Sequence, residues 1–87
     1  MAQTAHDFSL AKRPSPVELG LSPGSHARLI YEWLLKKKIT NAEIVREIGC
    51  FNSTGRISDL RAKLKPYLLY IEPRRVEKGL WEYRLRG

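Results

Sequence analysis

The sequence predicts an α+β domain in which three helices are followed by a β-hairpin. From about residue 25 to residue 64 the apolar residues recur with helical spacing, and after Pro66 they alternate with polar residues as in half-covered strands. The length of 87 residues allows one domain. A core of this size must pack efficiently and leaves little room for a large pocket.

We predict a flexible N-terminal arm over residues 1–24 and a folded domain over residues 25–87. Prolines and glycines interrupt the arm, and its hydrophobic period is weak. Within the arm we expect a docked turn around Val17, Leu19 and Leu21.

The first helix is predicted from near Ser25 to about Lys37, with Ser22 or Ser25 as its N-cap. Its inner stripe consists of Ala27, Ile30, Tyr31 and Leu34. Three lysines, Lys36 to Lys38, crowd its C-terminal end. They match the negative end of the helix dipole, and they suit contact with phosphate equally well.

The second helix has the strongest local signal. Thr40 and Glu43 have the spacing of a capping box, and Ile39 and Ile44 have the spacing of a hydrophobic staple. Gly49 supplies the left-handed residue that commonly ends a helix. The predicted buried stripe is Ile44, Val45 and Ile48.

The third helix is predicted to begin at Asn52 or Ser53 and to stop at Pro66. Its narrow apolar face consists of Ile57, Leu60 and Leu64. The opposite side is small and polar with positive flanks, and it carries Gly55, Arg56, Ser58, Asp59, Ala62 and Lys63.

Two strands follow. Leu69 and Ile71 alternate with polar neighbours in the first, and Trp81, Tyr83 and Leu85 do so in the second. Residues 74–79 between them are predicted to form a basic hairpin tip with a glycine turn. Ile39 is a candidate for a very short third strand.

Helices two and three are separated by a short turn containing glycine, which is the spacing of a helix-turn-helix unit. With the hairpin behind it as a wing, this order predicts a winged helix whose third helix enters the major groove of double-stranded DNA. The net charge is +7, and all of the excess falls in residues 26–87. That balance favours a polyanionic partner, although a basic surface also serves solubility alone.

The candidate DNA-binding residues are Asn52, Ser53, Thr54, Arg56, Ser58, Lys63, Arg74, Arg75 and Lys78. Arg56 suits bidentate contact with a guanine edge, the hydroxyls suit phosphates or base edges, and the wing cations suit the backbone or minor groove. Asp59 repels phosphate, so it either pairs with Arg56 or Lys63 or accepts from a cytosine amino group.

The same region resembles the small winged helix-turn-helix proteins that are frequent in bacteriophages and prophages. The resemblance covers roughly residues 27–86 and is carried by Ile39-Thr40, Glu43-Ile44, residues 46–51, residues 56–61 and Tyr83-Arg84-Leu85. It implies a DNA-binding protein that acts as a transcriptional regulator or recombination accessory factor. The proline-bearing arm departs from the family pattern, which leaves its role open.

The alternative is a winged helix used for protein–protein interaction, such as a phage-encoded inhibitor or adaptor of a host complex, or a homodimer. Large aromatic residues favour this, because a small core cannot bury all of them and interfaces are enriched in them. The candidates are Trp33, Trp81 and Tyr83, together with Tyr70.

Other function classes find little support. We expect no enzyme, metal or cofactor, because no paired carboxylates, metal-ligand spacing or phosphate-binding glycine loop is found, and the hairpin glutamates should be solvated. Cys50 is expected to pack at a turn. No apolar run is long enough for a membrane span and no secretory signal is visible, so we expect a cytoplasmic protein.

Overall fold

A computed structural model describes residues 13–87. The predicted α+β class is confirmed: three helices precede a β-hairpin, and a third short strand completes an antiparallel sheet of order β1-β3-β2. The helices are α1 (His26–Lys36), α2 (Asn41–Glu43) and α3 (Ser53–Leu64), and the strands are β1 (Ile39–Thr40), β2 (Tyr70–Glu77) and β3 (Leu80–Arg86). This arrangement is compatible with a winged helix.

Helix α1 forms as its signals predict. The Ser25 hydroxyl accepts a hydrogen bond from the Arg28 amide at 3.2 Å, which satisfies one of the free donors of the first turn. Ile30, Tyr31 and Leu34 are buried on its inner face. They join the core that α3 and the sheet also line.

The second helix starts with the predicted capping box. The Glu43 amide donates to the Thr40 hydroxyl at 3.1 Å, and the Thr40 amide donates to the Glu43 carboxylate at 2.9 Å. After one α-turn the backbone widens into a π-helical segment, Ile44–Ile48, which ends at Gly49 with φ 79°.

The wider winding corrects the predicted buried stripe of this helix. Ile44 is fully buried and Ile48 is half-buried, but Val45 is exposed. A stripe drawn at 3.6 residues per turn no longer applies once the hydrogen bonds span five residues.

Helix α3 is capped by Asn52, whose side-chain oxygen accepts from the Gly55 amide at 3.2 Å. Ile57, Leu60 and Leu64 are buried, as predicted. The chain then continues beyond the predicted stop as a 3₁₀ turn, Lys65–Tyr67, because proline is tolerated in the first turn of a helix. Leu68 closes this turn in the left-handed conformation, with φ 61°.

The hairpin is longer and its tip shorter than predicted. The ladder pairs Arg74 with Glu82 and Arg75 with Trp81, so both arginines lie in β2 and not in the connection. Only Lys78 and Gly79 form the turn, and Gly79 adopts the positive φ that a two-residue turn requires. The short third strand is present, because Ile39 pairs with Tyr83.

The segment before α1 packs on the domain as far as it is described. Leu19 and Leu21 are buried within the main core, whereas Val17 is exposed. The buried Tyr31 hydroxyl donates to the Pro14 carbonyl at 2.7 Å. Of the predicted flexible arm, residues 1–12 lie outside the described residues.

Three further features concern Cys50, metal-ligating side chains and the length of the helices. Cys50 is buried and free, as predicted. Within residues 13–87, no group of three or more His, Cys, Asp or Glu is placed to hold a metal ion. None of the helices in this same range has the length and apolar character needed to cross a membrane.

Candidate nucleic-acid interface

The side of α3 that faces away from the core carries short side chains. Thr54, Ser58 and Ala62 are exposed there, opposite the buried Ile57 and Leu60. Short side chains keep the helix narrow, and the major groove, about 12 Å wide, admits a helix of this kind. Two hydroxyls on this face can donate to or accept from phosphates and base edges.

Arg56 lies on the flank of that face and is not free. Its guanidinium forms an ion pair with Asp59 at 3.1 Å, which is one of the two roles predicted for the aspartate. The Arg56 Nε is shielded from solvent and has no hydrogen-bond partner among the described residues. Contact with a guanine would therefore have to compete with the carboxylate that already holds the guanidinium.

Gly55 leaves space for the N-cap of α3. A Cβ at Gly55 would lie 2.5 Å from the Asn52 side-chain nitrogen, so the missing side chain makes room for the N-cap. Asn52 itself is exposed, but its side-chain oxygen is engaged by the Gly55 amide. Ser53, beside it, is half-buried. The N-cap of α3 therefore accounts for the residue types at Asn52 and Gly55 without a bound ligand.

The predicted wing residues divide between the two faces of the sheet. Arg75 pairs with Trp81 on the face that carries the core residues, and Arg74 pairs with Glu82 on the other. Lys78 lies in the turn beyond both. Arg75 and Lys78 therefore both lie at the outer end of the hairpin, whereas Arg74 lies on the opposite face of the sheet, beside Glu82.

Asn41 holds the hairpin against the second helix. Its side-chain amide donates to the Gly79 carbonyl at 3.1 Å, and its side-chain oxygen accepts from the Trp81 amide at 3.0 Å. The capping box at Thr40 fixes the backbone immediately before Asn41. One helix start therefore sets both the direction of the second helix and the position of the hairpin tip.

Glu82 is buried, which corrects the expectation that the hairpin glutamates are solvated. It retains 7% of its accessible surface and has three cations around it: Lys38 at 3.2 Å, Arg84 at 3.6 Å and Arg74 at 4.0 Å. A buried carboxylate needs such partners, because removal from water is costly for an unpaired charge. Arg74 is thus partly neutralised within the sheet.

Several basic side chains have no carboxylate within 4.0 Å in the described part of the chain. They fall into three groups: Arg61, Lys63 and Lys65 on the C-terminal half of α3 and the turn after it; Arg75 and Lys78 at the outer end of the hairpin; and Arg13, Lys36 and Lys37 near the end of α1. Arg61 also donates to the Ile71 carbonyl at 3.1 Å, which joins α3 to the base of β2.

Sequence reasoning missed four residues of this surface. Arg61 and Lys65 were visible as cations on the third helix and its end, whereas the hydrogen bonds of Asn41 to the hairpin had no local signal. Phe51 precedes the α3 cap and is 87% exposed, which its apolar character alone does not suggest.

In comparisons with protein-family models, curated proteins and solved structures, nothing matches this chain.

Proposed function

We propose that this protein binds double-stranded DNA as a winged helix, with α3 in the major groove and the outer end of the hairpin on the phosphate backbone. The observation that carries the proposal is the placement of basic side chains without carboxylate partners among the described residues. Arg61, Lys63 and Lys65 border α3, and Arg75 and Lys78 end the wing. Cations in these places suit contacts that release counterions from DNA.

The short side chains on the outer face of α3 support its insertion into the major groove, and the hydroxyls of Thr54 and Ser58 offer contacts to bases or phosphates. Arg56 is the candidate base reader once a guanine replaces Asp59 as its partner. A regulatory or recombination role in a phage or prophage is the biological setting that the family resemblance supports.

The test is a titration of labelled duplex DNA at rising salt, with Arg75→Ala/Lys78→Ala beside the parent protein. If both side chains contact phosphates, the slope of log affinity against log salt becomes shallower by about 2 for this variant, on all sequences alike. The control is Arg46→Ala, which removes an exposed cation that pairs with Glu47 outside α3 and the wing. No binding by the parent protein at low salt, or an unchanged slope for the wing variant, would refute the proposal.

Protein binding is the second candidate, and exposed apolar side chains favour it. Phe51 is 87% exposed, Leu68 is 85% exposed, and Trp81 is 39% exposed, whereas Trp33 is half-buried. Sedimentation with and without DNA separates the candidates. Self-association that Phe51→Ser abolishes while DNA binding persists would assign these side chains to an interface between copies.

A further inference from the structure

A second basic surface lies where the end of α1 meets β3. An open hollow of about 350 Å³ is lined by Arg13, Lys36, Lys37, Lys38 and Arg84. Leu35 and Leu85 contribute apolar surface to the same hollow. No carboxylate lines this hollow within the described part of the chain. We call it the basic hollow.

The charge of the basic hollow is only partly compensated. Arg13, Lys36 and Lys37 have no carboxylate within 4.0 Å among residues 13–87, while Lys38 and Arg84 share Glu82 with Arg74. The dipole of α1 accounts for lysines at its C-terminal end. It does not account for Arg13 and Arg84, which approach the hollow from the N-terminal segment and from β3.

The basic hollow is separate from the proposed DNA interface. None of its lining residues belongs to α3 or to the outer end of the wing. Arg84 lies five residues along β3 from Gly79, which at about 3.4 Å per residue puts the hollow roughly 17 Å from the hairpin tip. A ligand that touched both sites would have to be extended.

We propose that the basic hollow binds the phosphodiester backbone of nucleic acid as a second contact site. Its three lysines are exposed around an open depression, so they suit a chain of phosphates better than one enclosed anion. DNA carries one negative charge per about 3.4 Å of axis on each strand, and several phosphates can therefore meet these cations together. The apolar surface beside the lysines suits the sugar carbons between the phosphates. The inference rests on the proposed function, because both take DNA as the ligand.

The experiment titrates the full chain with a random-sequence duplex at several salt concentrations. Lys36→Gln/Lys37→Gln tests the basic hollow, Arg75→Ala/Lys78→Ala tests the wing, and Arg46→Gln is the charge control. Neither Lys36 nor Lys37 pairs with Glu82, so the ion cluster of Glu82 with Lys38, Arg74 and Arg84 stays intact in this variant. Thermal unfolding verifies that each variant is folded.

We expect the hollow variant to lower the salt slope by about 2 relative to the parent protein, without changing sequence preference, because phosphate contacts carry no base information. A hollow variant with the same slope as Arg46→Gln overturns the inference. A wing variant with an unchanged slope overturns the proposed function instead, so the two failures are distinguishable. Poly-glutamate binding that the hollow variant loses while its DNA binding is unchanged assigns the site to an acidic protein and also overturns the inference.

Discussion

At the scale of single residues, Tyr31 connects the N-terminal segment to the helical domain. Its ring is fully buried on α1, and its hydroxyl donates to the carbonyl of Pro14. Burial raises the pKa of Tyr31 to about 12, although the nearby positive charge of Arg13 acts to lower it. The neutral phenol is therefore favoured in the folded state.

We predict that Tyr31→Phe makes stability less dependent on alkaline pH. Because the folded-state pKa of Tyr31 lies above the unfolded value of about 10, its contribution is complete below pH 10 and is lost as the pH rises to about 12. At neutral pH the variant should be about 1–3 kcal/mol less stable, since the buried Pro14 carbonyl loses its donor. Denaturant unfolding of both proteins across this range measures the difference, which should shrink with rising pH. A constant difference would exclude the linkage.

The burial of Glu82 could not be predicted from the residues of β3 alone. Alternation along β3 correctly assigns Tyr83 and Leu85 to the core side, and it assigns Glu82 to the other side. Whether that side is covered depends on Lys38 and Arg74, which reach Glu82 from different elements. The sequence shows that these charged residues are present, but it does not show that the fold brings them together around Glu82.

At the scale of elements, Asn41 joins the hairpin tip to the start of the second helix. The Asn41 side chain donates a hydrogen bond to the Gly79 carbonyl and accepts one from the Trp81 amide. These two backbone groups lie on either side of Leu80. Strand β1 adds only the pairs of Ile39 with Tyr83 and Thr40 with Glu82. Among the described residues, the side-chain hydrogen bonds between the helical part and the outer end of the hairpin are those of Asn41.

We predict that Asn41→Ala loosens the hairpin tip and leaves the core intact. The loss of two partly exposed hydrogen bonds should cost about 1 kcal/mol of global stability. Hydrogen exchange of the Trp81 amide should accelerate far more than that of core amides. Asn41→Asp is the matched control, because it keeps the acceptor for Trp81 and loses only the donor to Gly79. Equal protection of the Trp81 amide in all three proteins would exclude this role.

Elements with short-range signals are the ones that could be predicted. The capping box at Thr40 and the stop at Gly49 involve neighbours in sequence, so their residue types suffice. The π-helical winding after Glu43 and the extension of the ladder past Arg74 depend on what the backbone packs against. For the candidate site, the cations of α3 and the wing were visible in the sequence, but the ion pairs that engage Arg56 and Arg74 required the fold.

At the scale of the whole molecule, the core extends into the segment before α1. The described chain has principal extents of 44 × 30 × 20 Å, so its core is thin and each buried leucine matters. Leu19 and Leu21 pack in the same cluster as residues from α1, α3 and the sheet. The prolines and glycines of residues 1–24 predict an arm, and the burial of Leu19 and Leu21 shows that the expected docked turn packs on the core.

We predict that Leu19→Ala lowers the free energy of unfolding by about 2–5 kcal/mol, because it deletes a buried side chain and leaves a cavity. Val17→Ala is the matched control: it lies two residues away in the same turn, is 70% exposed, and should change stability by less than about 0.5 kcal/mol. Urea unfolding followed by Trp fluorescence measures both, since Trp33 packs against the core. If Leu19→Ala and Val17→Ala unfold at the same urea concentration as the parent protein, the segment is dispensable and the folded unit begins near α1. A large loss for Leu19→Ala alone moves the start of the folded unit to Leu19 or earlier.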